Sequence, residues 1–241
     1  MCLILFSISP DAEHRLVVAA NRDELYGRPT ARPAFWDDAP AVLAGRDLQA
    51  GGTWLGITRG GRFAAVTNFR EAPMEPTPPL SRGALTADFL RSTESCTDYL
   101  ARIAPQADQY RGFNLLIDDG HDTYYYSNRA ALARKLEPGY YGLSNQLLDC
   151  DWPKVGTGRA DLAQVGQSGF DTQTLFGLLA ERGNDKPFSA RFIYSDSYGT
   201  SASTVVKIMQ NHQLIFEERA FLAHGESSAI ACFELNRGSP R

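Results

Sequence analysis

The second residue of the chain is a cysteine, placed at the head of the apolar run Leu3 to Ile8. If Met1 is trimmed, Cys2 carries a thiol and a free α-amine on the same Cα. An α-amine has a pKa of about 7.7 to 8.0 and a thiol one of about 8.5, so the amine can take the thiol proton directly or through a water. Cys2 is therefore a candidate nucleophile that brings its own base; otherwise it is a small residue at the edge of a strand. The second chemically loaded stretch is Asn21-Arg22-Asp23-Glu24, where the apolar run Leu16 to Ala20 ends abruptly. A hairpin turning at Pro10-Asp11 brings residue 2 beside residue 22 or 23. There Arg22 would hold a thiolate and a substrate carbonyl, and Asp23 would fix the orientation of the ammonium. The alternative is an ion pair at a solvated strand end.

Other catalytic patterns are missing from the sequence. It contains no GxSxG elbow, HExxH helix, Walker A loop or Rossmann fingerprint, and GTGRAD at 156–161 lacks both the third glycine and a long preceding strand. The four histidines, at 14, 121, 212 and 224, lie in turn-like contexts, so a histidine dyad would have to be assembled entirely by the fold. A net charge of −4 with no basic run argues against a nucleic-acid partner. Cysteines at 2, 96, 150 and 232 form no CxxC pair, which fits reduced thiols and argues against structural zinc. Cys96 is expected to be buried and inert on a helix. The N-terminal apolar run lacks the plan of a signal peptide, and no stretch approaches a transmembrane length, so a cytoplasmic protein is expected.

The elements that must position these residues follow from periodicity. Its 241 residues suit one domain. Hairpins are expected at Leu3–Ser9 with Leu16–Ala20, at Thr53–Thr58 with Phe63–Asn68, and at Phe113–Ile117 with Thr123–Ser127, the last containing a face-alternating tyrosine run at 124–126. A short strand is expected over Tyr140–Leu143. Helices are expected from Ser81 until Pro105, and over Pro153–Val165 and Thr172–Glu181. Three strands close the chain, at Ser203–Met209, Gln213–Arg219 and Ala229–Leu235. The segment EAPMEPTPPL at 71–80 holds four of the thirteen prolines and is expected to be a loop or lid. Strands and helices are segregated, which indicates sheets covered by helix pairs rather than βαβ units.

The chain resembles the NRDE family, also called the transport and Golgi organisation protein 2 family. The resemblance rests on the initial Met-Cys, AANRDE, GGTWLGIT at 51–58, AAVTNFRE at 64–71, SRG at 81–83, GFNLLI at 112–117, YYYSNR at 124–129 and YGLSNQLLD at 141–149. It covers nearly the whole chain. It implies an α+β fold, a four-layer αββα sandwich of the N-terminal-nucleophile hydrolase type. A more distant likeness to choloylglycine and penicillin V acylases implies catalytic roles for Cys2, Arg22, Asp23, Asn68 and Asn145, with either asparagine amide donating to an oxyanion. The departure is YGTSAST at 198–204, which carries Ser201 where the family's YGTR-like segment has arginine. Arg70 is the candidate to compensate.

Two function classes follow. One is a Cys2-dependent hydrolase of an amide or thioester that needs no cofactor. The other is a carrier or chaperone for haem or an acyl-CoA or lipid, and the resemblance implies roles in haem trafficking and lipid homeostasis. Haem would need an axial His, Cys, Tyr or Met, and acyl-CoA phosphates would suit Arg22, Arg28 or Arg32. Asn21, Glu24, Trp54 and Arg70 are the ligand-binding candidates, for a small amphipathic ligand or substrate. Trp54 has a competing role as a packing residue, Asn145 as a strand terminator, and Gly51 and Gly52 are expected to serve a tight turn or a close backbone approach.

Overall fold

The strand carrying the candidate nucleophile, β1 (Leu3–Ile8), is buried at every position, which accounts for its uninterrupted apolar sequence. It pairs antiparallel with β2 (His14–Leu25), Leu3 opposite Asn21 and Ile8 opposite Leu16. That register, continued by one residue, sets Cys2 against Arg22. β2 does not end at Asn21 as its polarity suggests. Residues 21–25 remain in the strand because β11 (Tyr198–Met209) pairs with them, Asp23 opposite Thr200 and Leu25 opposite Tyr198. The expected start of this strand at Ser203 is too late by five residues. The register skips Ser201, leaving it as a bulge between Thr200 and Ala202.

The computed structural model describes residues 2–71 and 80–236, which sort into two compact units. The first comprises the chain up to Arg28, Pro138–Ser144 and Leu148–Asn236. Its six-stranded sheet has the order β10-β1-β2-β11-β12-β13, where β10 is Gly139–Leu143, β12 Gln213–Phe221 and β13 Ser227–Asn236. Helices α3 (Pro153–Gln167) and α4 (Thr172–Leu179) cover one face. Val155, Leu162, Leu175 and Leu179 pack there against Leu3, Leu5, Val17, Ala19 and Val205. Asp171 caps α4, its carboxylate accepting from the Thr174 N–H at 2.8 Å.

The second unit comprises Pro29–Glu137 and Asn145–Leu147 among the described residues. Its seven strands form an antiparallel meander in sequence order: β3 (Thr30–Trp36), β4 (Ala39–Asp47), β5 (Leu55–Thr58), β6 (Phe63–Asn68), β7 (Phe113–Asp118), β8 (Thr123–Ser127) and β9 (Leu132–Lys135). Helices α1 (Arg82–Arg91) and α2 (Cys96–Ile103) bury Leu85, Phe89, Tyr99 and Ile103 against Val42, Val66, Phe113 and Leu115. Cys96 is buried, with its Sγ on the carbonyl of Asp122.

Strands β3, β4 and β9 have no counterpart among the expected elements. β3 contains Pro33, which weakens the strand signal, yet β3 is the edge of the sheet and its register shifts between Ala31 and Ala34. An edge strand with a bulge tolerates a residue that cannot donate to the ladder. The proline-rich segment expected to be a loop lies, over 72–79, outside the described residues.

Two glycines in the GGTW motif serve the purposes expected of them. Gly51 has a positive φ of 76°, and a Cβ on Gly52 would come within 2.4 Å of the Gly83 carbonyl carbon. The N–H of Thr53 donates to that same Gly83 carbonyl. The motifs at 51–58 and 81–83 are thus one backbone contact, which seats the first turn of α1 on the approach to β5.

Candidate functional site

In the first unit the sheet brings together Cys2, Arg22 and Asp23. Cys2 is held by its backbone as well as by the strand, since Ser144 Oγ donates to its carbonyl at 2.7 Å. The residue as a whole is half-buried, while burial of the thiol pushes its pKa up and the Arg22 charge opposes that. Arg22 places one guanidinium nitrogen 3.2 Å from Ser201 Oγ and another 3.4 Å from Glu24 Oε2. Glu24 also lies 3.8 Å from the Arg28 guanidinium. Ser201 Oγ in turn donates to the Arg22 carbonyl at 3.1 Å.

Asp23 is only 6% exposed, so it is not part of a solvated strand-end ion pair. Thr200 Oγ1 donates to its Oδ1 at 2.8 Å and itself accepts the Ile193 N–H at 2.9 Å. Burial raises the carboxyl pKa, against the Lys154 charge and the Thr200 hydrogen bond. Glu218 on β12 is a further acidic group near Arg22. It accepts from Thr204 Oγ1 at 2.9 Å, and burial lifts its pKa to about 7 against the pull of Arg22.

Asn21 is fully buried. Its amide nitrogen donates to the carbonyls of Leu179 and Arg191 at 3.0 and 2.7 Å, and its oxygen accepts from Ser203 at 2.6 Å. Both ends of the amide therefore tie β2 to its surroundings.

The other expected site residues lie in the second unit. Asn145 is buried, and its amide nitrogen donates to the backbone carbonyl of Asn68 at 2.7 Å, while its own carbonyl accepts the Arg70 N–H at 2.7 Å. Asn68 and Arg70 are exposed. Trp54 is partly buried and packs against the second unit's apolar core, and its carbonyl accepts from Val66. Asn145 and Asn68 are thus joined to each other, through the side chain of one and the main chain of the other.

Three groups around Cys2 and Asp23 escaped the sequence reading: Ser144, Thr200 and Lys154. Ser144 and Thr200 are ordinary strand-end residues in sequence. Lys154 looks like a solvated helix residue, yet it is 1% exposed. Nothing in the helix start Trp152-Pro153-Lys154 signals in sequence that this lysine is buried. Among the described residues, no His, Cys, Asp and Glu groups gather as a metal site. His14 is engaged by the Asp11 carboxylate at 2.9 Å, and His121, His212 and His224 are exposed.

A model of the family described as Transport and Golgi organisation 2 matches residues 1–223. The chain belongs to this family. Among its relatives, the Transport and Golgi organization protein 2 homolog of Bos taurus is 33% identical over 92% of this chain and 94% of its own length. The Mus musculus homolog is 31% identical with the same coverage. Solved structures supply the fold. A Caenorhabditis elegans N-acylethanolamine-hydrolyzing acid amidase ortholog superposes with a TM-score of 0.54 at 11% identity, covering 85% of this chain and 92% of that one. A variant of the conjugated bile acid hydrolase from Clostridium perfringens gives 0.54 at 12% identity, covering 99% and 94%.

Each unit of this Transport and Golgi organisation 2 family member contributes one sheet and one helix pair. The fold is α+β, of the N-terminal-nucleophile hydrolase type. Among the described residues, no helix is long and apolar enough to cross a membrane.

Proposed function

We propose that this protein is a Cys2-dependent hydrolase of amides or thioesters with an apolar acyl group. The observation that supports this reading is the register of β1 and β2, which runs Cys2 opposite Arg22, with the charges of both Arg22 and the buried Asp23 acting on the Cys2 thiol. The fold it shares with an N-acylethanolamine-hydrolyzing amidase and a conjugated bile acid hydrolase supports the same chemistry.

After removal of Met1, the Cys2 sulfur gives up its proton to the α-amine and attacks the substrate carbonyl carbon. A C–S bond forms, and the carbonyl electron pair moves to oxygen. The oxyanion collapses and expels the amine or thiol, which takes the proton back from the α-ammonium. Water then attacks the acyl-enzyme carbonyl, the C–S bond breaks, and a carboxylic acid leaves with the thiol restored. Arg22 stabilises charge on sulfur, and Asp23 orients the α-amine.

The test uses the wild-type protein and Cys2→Ala with a long-chain N-acylethanolamine and a long-chain acyl-CoA. Intact mass first establishes that the chain is one methionine lighter than its gene encodes. Product and a transient acyl adduct are expected with the wild type alone. Unchanged ligand bound equally by both proteins would instead establish a carrier, and haemin is included as a further probe of that outcome.

A further inference from the structure

Lys154 is the least expected charge in the first unit. It sits in the first turn of α3, is 1% exposed, and its Nζ has no hydrogen-bond partner among the described residues. Two stacked aromatic rings lie beside it. The Trp152 ring lies 5.8 Å from Nζ and stacks on Phe188 at 4.2 Å, and the Lys154 N–H donates to the Phe188 carbonyl at 3.0 Å. Burying an ammonium without hydrogen bonds is costly, and packing alone would be served better by methionine.

This buried, unpartnered ammonium enters the fold on a helix packed against β1, and three charged or ionisable groups act on it electrically. They are Asp23 from β2, Cys2 from the start of β1, and Cys150 from the segment before α3. Cys150 is itself acted on by Asp149 and Asp151, and Cys2 by Arg22 and Asp23. α3 packs directly on β1, since a Cβ on Gly158 would come within 2.8 Å of Leu5.

We propose that Lys154 is a positioning residue that sets the ionisation of Cys2, its buried ammonium favouring the thiolate while Asp23 supplies its counter-charge. The inference rests on Cys2 being the nucleophile. A cation held in a poorly solvated environment acts on nearby groups with little screening, so its field reaches the thiol without contact. The same field acts on an α-amine at Cys2. Burial works to lower the Lys154 pKa from that of an exposed lysine, and the negative charges of Asp23 and a Cys2 thiolate oppose that loss of charge.

The experiment measures the rate of iodoacetamide modification of Cys2 against pH, localised by peptide mass, in wild type, Lys154→Met and Lys154→Arg, with melting temperatures alongside. Removing the positive charge disfavours the thiolate, so the midpoint in Lys154→Met is expected to rise by about one pH unit or more. Lys154→Arg is expected to retain the wild-type midpoint. Lys154→Gln gives the same reading if the methionine variant does not fold. An unchanged midpoint in a folded, uncharged variant overturns the proposal, whatever its melting temperature. Because alkylation needs no turnover, an inactive wild type with a shifted Lys154→Met midpoint counts against the hydrolase reading while upholding the electrostatic one.

Discussion

Ser201 and Arg22 hold each other from both ends. The Ser201 hydroxyl donates to the Arg22 carbonyl at 3.1 Å and lies 3.2 Å from the Arg22 guanidinium. Ser201 is also the bulged residue of β11, so its side chain need not follow the alternation of the strand. The residue that departs from the YGTR-like pattern is therefore a support for the arginine on the neighbouring strand.

Ser201→Ala is expected to destabilise the protein by about 1 kcal/mol, or roughly 2–4 °C in Tm, as a hydrogen bond to a partly exposed group is lost. Its effect on Cys2-dependent turnover is expected to be larger, because the guanidinium loses a fixed partner. Thermal melts and kcat/KM for one acyl substrate check both. A turnover loss no greater than the stability loss would remove Ser201 from the site.

Asp23→Asn is expected to cost about 1–3 kcal/mol at pH 7, because it removes the negative charge that acts on the buried Lys154 ammonium and weakens the Thr200 hydrogen bond. Lys154 then loses its proton more readily in the folded protein than in the unfolded chain. The unfolded state binds more protons, so the stability of this variant rises with pH toward the ordinary lysine range. Denaturant titrations at several pH values measure the slope, and a pH-independent deficit would show that Asp23 is not the counter-charge.

Glu218→Gln is expected to stabilise the protein at alkaline pH. Folded Glu218 titrates at about 7 against an ordinary value of 4.5, so the folded state keeps a proton that the unfolded state has released. The stability this contributes is full below pH 4.5 and is lost as pH rises through 7. Glutamine stays neutral and can still accept from Thr204, so at pH 8 the variant should exceed wild type by up to about 3 kcal/mol. The two proteins should converge in acid, and parallel Tm-against-pH curves would sink this account.

Gly52→Ala is expected to be among the most damaging small substitutions. The added methyl would meet the Gly83 carbonyl carbon at 2.4 Å and its oxygen at 2.5 Å, both of them backbone atoms that cannot rotate away. Overpacking of this kind costs about 3 kcal/mol, or roughly 6–12 °C in Tm. Gly51→Ala strains a positive φ instead, with nothing within 4 Å of the new methyl, and should cost less. Equal melting temperatures for the two variants would show that the contact with Gly83 is not tight.

Local sequence determined a good deal of this protein. Apolar runs and turn residues placed the Cys2 hairpin, and together with helical periodicity they gave the segregated order of strands and helix pairs. Those signals survive without tertiary context because they reflect burial and backbone preference along a few consecutive residues. Strand β3 was hidden by Pro33, which is tolerated because β3 has no outer neighbour and its register is interrupted there, a fact of sheet order. The polar sequence Asn21-Arg22-Asp23-Glu24 ended a strand on paper; pairing with β11, some 175 residues away, kept it in the sheet and turned Asp23 into a buried carboxylate. Lys154 shows the limit most plainly. A lysine in the first turn of a helix is ordinarily solvated, and only the packing of α3 on β1 seals this one in and brings it under the influence of Asp23 and Cys2. Burial and electrostatic coupling depend on distances between segments remote in the chain, so the tertiary structure alone could decide them.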